Sequence, residues 1–427
     1  MKRYLNPDKA SWPKILERPL FNAADLTGKV KAILDEIKSD GLPAIQKFTE
    51  QFDGVSIREF IVTDAEIEEA SQLVDAELKA AMEVAASNIQ RFHASQKTAL
   101  KKIETTPGVV CWQKAVGIEK VGLYIPGGSA PLFSTVLMLG IPAKIAGCRE
   151  IVLCTPPNNE GKIHPAILFA AKLVGVTKIF KIGGVQAIGA LAYGAGPVPK
   201  VSKIFGPGNQ YVMAAKQLVS ISDVAIDMPA GPSEVAVLAD ESANPAFIAS
   251  DLLSQAEHGP DSQVVLVCNS EKLVEEVETE LAKQLTELSR MEIAIKALSH
   301  SVAIVLNNED EMIRMINEYA PEHLIISMNN YLEVAEKIVN AGSIFLGNYT
   351  PESAGDYASG TNHTLPTNGW ARSFSGVNLD SFIRKITFQE VTEGGIQTLG
   401  PVIEKMAAAE QLDAHKNAVS LRLKSLK

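Results

Sequence analysis

Short apolar segments alternate with longer segments of helical periodicity between residues 108 and 347. EIVLC (150–154) and EVAVLAD (234–240) are typical of buried strands, and helix-like segments such as 134–146 separate most strands from the next. Apolar strands that alternate with helices predict mostly parallel sheets with helices on both faces. Further strands are predicted at 108–112, 121–125, 177–181, 202–206, 263–268, 302–306, 323–327 and 343–347, and further helices at 164–174, 184–194 and 209–220.

Both ends of the chain have a predominantly helical pattern. Residues 20–103 are predicted to be helical, and Thr63 with Glu66 has the form of a capping box. Residues 402–426 give the strongest helix of a C-terminal tail. Before this tail, residues 355–376 are polar and lack a strand pattern, and an ordered loop of that length is usually functional.

Two clusters of proline and glycine, IPGGSAP (125–131) and MPAGPSE (228–234), enclose about a hundred residues. Such clusters predict the two crossings between a main domain and an inserted domain. The sequence therefore predicts an α/β fold of two domains with N- and C-terminal helical extensions. The predicted boundaries are an N-terminal extension at 1–19, a discontinuous main domain at 20–123 and 234–377, an inserted domain at 124–233 and a helical tail at 378–427.

The length of 427 residues also argues for more than one domain. A net charge of −10 argues against a nucleic-acid surface or an anionic membrane as partner, and it favours small-molecule chemistry. We find neither a secretory signal nor the roughly 18 consecutive apolar residues of a membrane-spanning helix. Four cysteines without a CxxC pair predict reduced thiols in a cytoplasmic protein.

Gln255 and His258 stand three residues apart at the end of a predicted helix, immediately before Gly259-Pro260. Side chains at this spacing share one helix face, so the pair could supply two ligands to one metal ion. The alternative is an exposed helix end, where a histidine interacts favourably with the helix dipole. The spacing leaves both interpretations open.

Glu322 and His323 follow a proline directly before an apolar strand. An adjacent carboxylate and imidazole could activate water and transfer a proton near neutral pH, although a solvated connection would have the same sequence. Glu410 and His415 on the C-terminal helix lie about 140° apart around an ideal helix, so they do not form one bidentate face. The polar loop adds Asp356, His363 and Arg372 as candidates.

No GxGxxG motif follows a predicted strand, so the predicted domains are Rossmann-like but incomplete. Gly183-Gly184 and Gly206-Pro-Gly208-Asn209 occupy strand-to-helix turns where backbone amides could meet phosphate, but any short α/β connection also needs glycine. A thiol nucleophile would suit an aldehyde oxidiser. Cys154 and Cys268, however, end apolar strands and are more typical of core residues.

Long segments of the chain resemble the histidinol dehydrogenase family, from about residue 20 to the C-terminus. Strings of this length are far more specific than any single motif. The segments are VGLYIPGGSAPLFSTVLMLGIPAKIAGC (121–148), KIFGPGNQYV (203–212), DMPAGPSEV (227–235), SDLLSQAEHGPDSQV (250–264), YAPEHLII (319–326), GSIFLGNYTPESAGDYASGTNHTLPT (342–367) and AAAEQLDAHKNAV (407–419).

The resemblance implies an enzyme that oxidises L-histidinol through L-histidinaldehyde to L-histidine with two NAD⁺, the last step of histidine biosynthesis. It also implies one zinc ion per active site and a homodimer in which the C-terminal tail completes the partner's zinc site. Carried onto this sequence, the zinc ligands are Gln255, His258, Asp356 and His415, and the catalytic pair is Glu322 and His323. The implied substrate contacts are Ser233, Gln255, His258, His323, Asp356, Glu410 and His415, and the implied NAD contacts are Tyr124, Gln186 and Asn209.

Two functions of other classes remain open. A zinc-dependent hydrolase of a small amide or imidazole metabolite would also use Asp, His and a water activated by Glu, but it would not need NAD. A non-catalytic metabolite-binding protein would explain two domains joined by hinges. It would not explain Glu322 and His323 beside four potential metal ligands.

Overall fold

The computed structural model describes residues 1–19, 23–127 and 130–426. The start of the predicted helical segment at 20–22, and Gly128 and Ser129 of the first predicted crossing, lie outside these residues. The strands are β1 (Lys2–Leu5), β2 (Lys102–Thr106), β3 (Val109–Gly117), β4 (Lys120–Tyr124), β5 (Glu150–Thr155), β6 (Lys178–Lys181), β7 (Lys203–Phe205), β8 (Ala225–Ile226), β9 (Glu234–Ala239), β10 (Gln263–Cys268), β11 (Val302–Val305), β12 (His323–Ser327), β13 (Ser343–Leu346) and β14 (Ile383–Val391). The α-helices are α1 (Trp12–Ile15), α2 (Ala23–Asp40), α3 (Leu42–Asp53), α4 (Asp64–Leu73), α5 (Ala76–Ala94), α6 (Phe133–Ala146), α7 (Pro165–Val174), α8 (Gly184–Tyr193), α9 (Gln210–Ser220), α10 (Pro245–Ala256), α11 (Glu271–Leu285), α12 (Met291–Ser299), α13 (Glu309–Tyr319), α14 (Tyr331–Ala335), α15 (Glu393–Ala409) and α16 (Asp413–Ser425).

A five-stranded parallel sheet has the strand order β6-β5-β4-β7-β8. Numbered along the chain from β4, this order is 3-2-1-4-5, which is the order of Rossmann-type sheets. Alternate residues of each strand enter opposite cores: Ile151 of β5 packs with α6 and α7, and Val152 packs with α8 and α9. Burial on both faces explains why these strands read as continuous apolar runs.

A six-stranded parallel sheet has the order β1-β11-β10-β9-β12-β13. Its strands β9 to β13 repeat the order 3-2-1-4-5, and the predicted mostly parallel α/β architecture is confirmed. The predicted N-terminal extension contributes β1, which pairs in parallel with β11 at the edge of this sheet. Sequence analysis did not identify β1, because its polar residues KRYL lack the apolar run of the central strands.

The N-terminal helices cover the five-stranded sheet. Helices α2 and α3 pack against α8 and α9, and α4 and α5 pack against α6 and α7. The capping box predicted at Thr63 and Glu66 is present at the start of α4. This packing favours grouping 23–94 with the five-stranded sheet, whereas the sequence placed these residues with the other sheet. The remaining domain boundaries stay predictions.

The C-terminal tail is not wholly helical, in contrast to the prediction. Ile383–Val391 forms β14, which pairs antiparallel with β3 in a three-stranded sheet of order β14-β3-β2. Helices α15 and α16 pack mainly against each other. We call β14, α15 and α16 the tail unit. Its exposed apolar side chains are Ile386, Phe388, Val391, Val402, Met406, Leu412 and Leu421.

The polar loop predicted at 355–376 is ordered, and no strand forms within it. A hydrogen bond to the backbone of α6 anchors this loop, and Pro142 of α6 makes that bond possible. Because proline has no N–H, the carbonyl of Met138, four residues earlier, receives no helical hydrogen bond from position 142. The buried Asn362 side chain donates to this carbonyl through Nδ2 at 2.6 Å. A local defect in one helix therefore fixes the loop of the other domain.

We expect Asn362→Ala to lower the free energy of unfolding by about 1–3 kcal/mol, because it leaves the buried Met138 carbonyl without a donor. The loss should be smaller in a Pro142→Ala background, where the restored N–H can bond the same carbonyl. Denaturant titration of the wild type, both single variants and the double variant measures this coupling. Equal losses in both backgrounds would contradict the explanation.

Candidate active site

Buried polar side chains gather where β9 and β12 begin. These two strands are neighbours in the six-stranded sheet, and because they are parallel their amino ends lie at one edge. His323, the first residue of β12, pairs with Val235 of β9 and with Ser343 of β13. The predicted catalytic residues therefore lie at the amino edge of this sheet.

A strained turn places Glu322 and His323 at this edge. Helix α13 ends at Tyr319, and the next residue, Ala320, has a φ of 52° in the left-handed region that a Cβ disfavours. Pro321 follows and fixes the direction of the chain. The side chains of Glu322 and His323 are both buried as a result. A non-glycine residue in this conformation is typical of sites where geometry is strictly set.

Three carboxylates surround the His323 ring. Nδ1 lies 3.7 Å from Glu322 Oε2 and 3.7 Å from Glu352 Oε1, and Nε2 lies 3.4 Å from Asp356 Oδ1. Within the described part of the chain, His323 Nε2 and Asp356 Oδ1 are buried and make no hydrogen bond. The two atoms face each other at 3.4 Å, so they can form an ion pair when the ring is protonated, although neither makes a hydrogen bond.

The backbone of Glu234 holds the catalytic pair. Its N–H donates to Glu322 Oε2 at 2.9 Å, and its carbonyl lies 3.4 Å from His323 Nδ1. The buried Glu234 side chain accepts from Arg18 Nη2 at 2.9 Å, and the same guanidinium donates to the Tyr319 carbonyl at 2.7 Å. This ion pair ties the N-terminal segment to the first residue of β9.

Helix α10 and the turn that follows it position Gln255 and His258. Asn244 caps its start, and the helix ends at Ala256 with Gln255 buried. The Gln255 amide is assigned with its nitrogen toward Glu352 and its oxygen toward the Glu234 N–H, 3.1 Å away, because this orientation gives both neighbours a suitable partner. His258 follows on an exposed turn beside the same cluster. The structure thus brings the two predicted ligands to one place.

Glu352 and Asp356 lie one turn apart at the start of the polar loop, where Ala354–Ala358 forms a π-helical turn. Turns of this type occur often at functional sites. Ligand atoms of His258, Glu352 and Asp356 all lie within 4.8 Å of one another, close enough to hold one metal ion. Sequence reasoning missed Glu352. Its spacing of four residues from Asp356 was the available signal.

The carboxyl groups of the cluster shift one another's proton affinity. Burial raises the pKa of the Glu322 carboxyl to about 8 and that of Glu352 to about 8. Burial alone would lower the pKa of His323, but Glu352, Glu322 and Asp356 raise it to about 10. Since carboxylates outnumber cations here, a divalent ion would relieve the repulsion and lower these pKa values.

The other predicted residues of the site are more dispersed. Ser233 is half-buried directly before β9, and its carbonyl accepts from the Gln263 N–H at 3.2 Å. Glu410 and His415 are exposed on the tail unit, and within the described residues neither side chain contacts the cluster. His363 lies between the Asp356 carbonyl, 2.9 Å from Nδ1, and Thr135 Oγ1 of α6. Arg372 donates to the Glu318 carbonyl.

The predicted NAD contacts lie at the carboxyl edge of the five-stranded sheet. Tyr124 ends β4, and Asn209 follows β7 and caps α9 through Oδ1. The order of the sheet reverses between β4 and β7, and dinucleotides bind at such a switch point. Gln186 lies in the first turn of α8, and its Nε2 donates to Asp53 Oδ2 at 3.1 Å. The Tyr124 hydroxyl accepts from the Gly184 N–H.

At this edge, Gly206 is one of the glycines where a side chain has no room. Its φ is 127°, and a Cβ would meet the Tyr124 carbonyl oxygen at 2.0 Å. A buried ion pair holds its peptide groups: Lys216 Nζ donates to the Gly206 carbonyl at 2.7 Å, and the Gly206 N–H donates to Asp227 Oδ2 at 2.8 Å. The predicted glycine turn is therefore a rigid strand-to-helix connection.

The thiols do not support a cysteine nucleophile. Cys154 and Cys268 are fully buried at the carboxyl ends of β5 and β10, so Cys268 lies at the edge of its sheet opposite the cluster. Burial raises the pKa of the Cys268 thiol to about 11. Both residues are parts of the core, as their apolar strands indicated.

One sheet has the Rossmann strand order and carries glycine turns at its switch point. The second parallel sheet carries a buried acid–base cluster. Together, these features define a dehydrogenase-like protein. Residues 16–423 match the profile of the histidinol dehydrogenase family. The chain belongs to this family, and it is an NAD-dependent oxidoreductase that acts on an alcohol and an aldehyde in histidine biosynthesis.

Individual relatives agree with this assignment over their whole length. The chain is 62% identical to histidinol dehydrogenase of Bacteroides thetaiotaomicron, with 100% of both chains covered. Its structure superposes on the crystal structure of histidinol dehydrogenase from Elizabethkingia anophelis with a TM-score of 0.97. The two sequences are 56% identical, and the superposition covers 100% of this chain and 98% of the other. An acetylating aldehyde dehydrogenase from Geobacillus thermoglucosidasius shares the fold, with a TM-score of 0.50 at 16% identity over 88% of this chain and 98% of the other.

None of the helices in the described ranges combines the length and apolar character needed to span a membrane.

Proposed function

We propose that the cluster oxidises L-histidinol to L-histidinaldehyde and then to L-histidine, with two NAD⁺ and one zinc ion per site. The observation that supports this most is the buried His323 ring, whose Nδ1 lies 3.7 Å from Glu322 and whose Nε2 lies 3.4 Å from Asp356. The alternative of a zinc-dependent hydrolase is not favoured, because the family is NAD-dependent.

Gln255, His258 and Asp356 fit a zinc ion by their chemistry. They offer an amide oxygen, an imidazole nitrogen and a carboxylate oxygen, and mixed nitrogen and oxygen donors suit zinc. When bound, zinc supplies an anchor for the imidazole and amine nitrogens of the substrate. Glu352 lies next to this set and offsets the charge of the ion.

In the first oxidation, His323 accepts the proton of the substrate hydroxyl, and this step needs the neutral ring. The surrounding carboxylates raise the pKa of His323 to about 10, so a cation bound beside them would be needed to lower this pKa toward neutral pH. NAD⁺, when bound, would supply the oxidant: the carbon that carries this hydroxyl would lose its hydride to it, and the alcohol would become an aldehyde. Asp356, 3.4 Å from Nε2, and the Glu234 carbonyl near Nδ1 orient the ring for this transfer. Burial of the ring keeps bulk water away from the reacting atoms.

In the second oxidation, Glu322 accepts a proton from the water that adds to the aldehyde carbon. The hydrate then loses a hydride to a second NAD⁺ and a proton to the site, which leaves the carboxylate of L-histidine. The Glu234 N–H fixes one oxygen of Glu322 at 2.9 Å and leaves the other available for the water. Because burial raises its pKa, this carboxylate is a stronger base than an exposed one.

We expect Glu322→Gln to oxidise L-histidinol to the aldehyde level but to lose about 10²–10⁴-fold in the oxidation of L-histidinaldehyde. The amide oxygen can still accept from the Glu234 N–H, so the local structure should be kept. His323→Asn should slow the alcohol step as well, because that step also needs a base. Initial rates of NADH formation from each substrate separate the two steps. Equal losses in both steps for Glu322→Gln would contradict this division of roles.

The tail unit supports a homodimer with shared sites. His415 and Glu410 are exposed, and the tail unit carries several exposed apolar side chains that a second copy could cover. In the proposed dimer, His415 of one chain completes the zinc site of the other, and Glu410 contacts the substrate there. Ser233, Gln255 and His258 of the receiving chain complete the substrate contacts.

We further propose that residues 124–233 bind the dinucleotide through Tyr124, Gln186 and Asn209, and that 234–377 bind the substrate. The two sheets described above support this division. A cytoplasmic location is supported by four free cysteines, since disulfides form in oxidising compartments.

One assay separates the proposed function from its rivals. NADH absorbance is followed with L-histidinol as substrate, before and after treatment with a zinc chelator. The proposal expects two NADH per L-histidinol and loss of activity on chelation, with recovery when zinc is returned. A hydrolase or a binding protein would produce no NADH.

A further inference from the structure

An expected acidic residue is missing from β5. In sheets of this strand order, an acid at the end of the second strand accepts hydrogen bonds from the adenosine ribose of NAD. Here β5 is that second strand, and it ends at Thr155 followed by Pro156, Pro157 and Asn158. None of these residues carries a negative charge.

Asp53, the last residue of α3, brings a carboxylate to this place from another part of the fold. A Cβ on Gly183, in the turn after β6, would lie 2.5 Å from Pro156 and 3.2 Å from Asp53 Oδ1. The carboxylate therefore lies over the turn between the third strand and α8, next to the residue that follows the second strand. This is where the adenosine half of a dinucleotide lies in such sheets.

The surroundings of Asp53 suit a hydroxyl ligand. Within the described residues, its side chain accepts a hydrogen bond from Gln186 Nε2, and no lysine or arginine forms an ion pair with it. Partial burial without a cation raises the pKa of this carboxyl to about 6. Gln186 is fully buried, and its Oε1 also lacks a partner within the described residues.

We propose that Asp53 accepts hydrogen bonds from the adenosine ribose hydroxyls of NAD⁺ and repels the 2′-phosphate of NADP⁺. Hydroxyl donors to a carboxylate form strong charge-assisted bonds, and a phosphate at the same place would meet a like charge. The inference rests on the proposed placement of the dinucleotide at the carboxyl edge of the five-stranded sheet. Asp53 would then determine cofactor specificity, although it comes from the N-terminal helices.

Asp53→Asn tests this inference, since it keeps the size of the side chain and an oxygen for Gln186. Calorimetric titration measures the Kd for NAD⁺ and for NADP⁺, and steady-state kinetics measures kcat/KM for both. The Kd for NAD⁺ should rise about tenfold or more, because a hydrogen bond to a charged group is lost. The ratio of kcat/KM for NAD⁺ to kcat/KM for NADP⁺ should also fall about tenfold or more.

Two further variants keep the test independent of folding. Asp53→Glu retains the charge and should still reject NADP⁺. Glu50→Gln removes an exposed acid of the same helix and should leave both Kd values unchanged. Unfolding midpoints of all three variants show that α3 is intact.

Gln186→Ala separates the possible failures. If Asp53 only positions Gln186, then Asp53→Asn and Gln186→Ala weaken NAD⁺ and NADP⁺ binding by the same factor, and the specificity inference is overturned. If Gln186→Ala weakens NAD⁺ but Asp53→Asn changes neither Kd, the inference also fails while the placement stands. If neither variant changes either Kd, the placement of the dinucleotide itself is wrong.

Discussion

His258→Ala and Asp356→Asn are each expected to remove most of the bound zinc and to lower kcat at least about a hundredfold. Loss of a group that only supports a ligand already costs about 10–100-fold, so loss of a ligand should cost more. His258 is exposed on a turn, and Asp356 lies in a loop, so neither contributes much to a core. The fold should therefore remain intact.

Metal analysis of the purified variants, with circular dichroism as a check on folding, measures this prediction. Glu257→Gln is the matched control, because Glu257 is adjacent to His258 but lies outside the ligand group. Glu352→Gln decides whether the carboxylate that sequence reasoning missed is a ligand or only a neighbour. Full zinc occupancy in both His258→Ala and Asp356→Asn would remove these residues from the proposed ligand set.

A mixture of two inactive variants, His258→Ala and His415→Ala, is expected to regain activity. If each site combines His258 of one chain with His415 of its partner, a mixed dimer has one intact site and one site that lacks both residues. Random pairing makes about half of the dimers mixed, so about a quarter of wild-type activity should return. Mixed dimers isolated with two different affinity tags should have about half of the wild-type activity.

Each variant alone, refolded by the same procedure, is the control and should remain inactive. The mixture must also be shown to contain mixed dimers, for example by recovery of both tags on one column. If mixed dimers form and no activity returns, both ligands come from one chain. The tail unit would then have to reach the cluster of its own chain.

Apolar periodicity predicted the two parallel sheets well, because their strands are buried on both faces and their composition reports this directly. Apolar periodicity did not predict β1, β2, β8 or β14. The sequence IRKITFQEV of β14 is mostly exposed, and its strand state depends on pairing with β3, which lies more than 250 residues earlier in the chain. The packing of the N-terminal helices on the five-stranded sheet also depends on distant contacts.

The candidate site was predictable where its residues adjoin recognisable elements. Gln255 and His258 end a helix, and Glu322 and His323 begin a strand, so position along the chain singled them out. Glu352 and Asp53 have no such mark. Glu352 lies just before the polar loop, and its sequence signal is the spacing of four residues from Asp356. Asp53 ends an ordinary amphipathic helix, and only the fold shows that its carboxylate reaches the five-stranded sheet.

Anomalous X-ray diffraction from crystals of the zinc-loaded protein, collected on both sides of the zinc absorption edge, locates the metal ion. We expect one strong peak per active site, about 2.0–2.2 Å from ligand atoms of Gln255, His258 and Asp356, with His415 of the partner subunit completing the set. A zinc peak elsewhere in the molecule, with none at the amino edge of the six-stranded sheet, would contradict it.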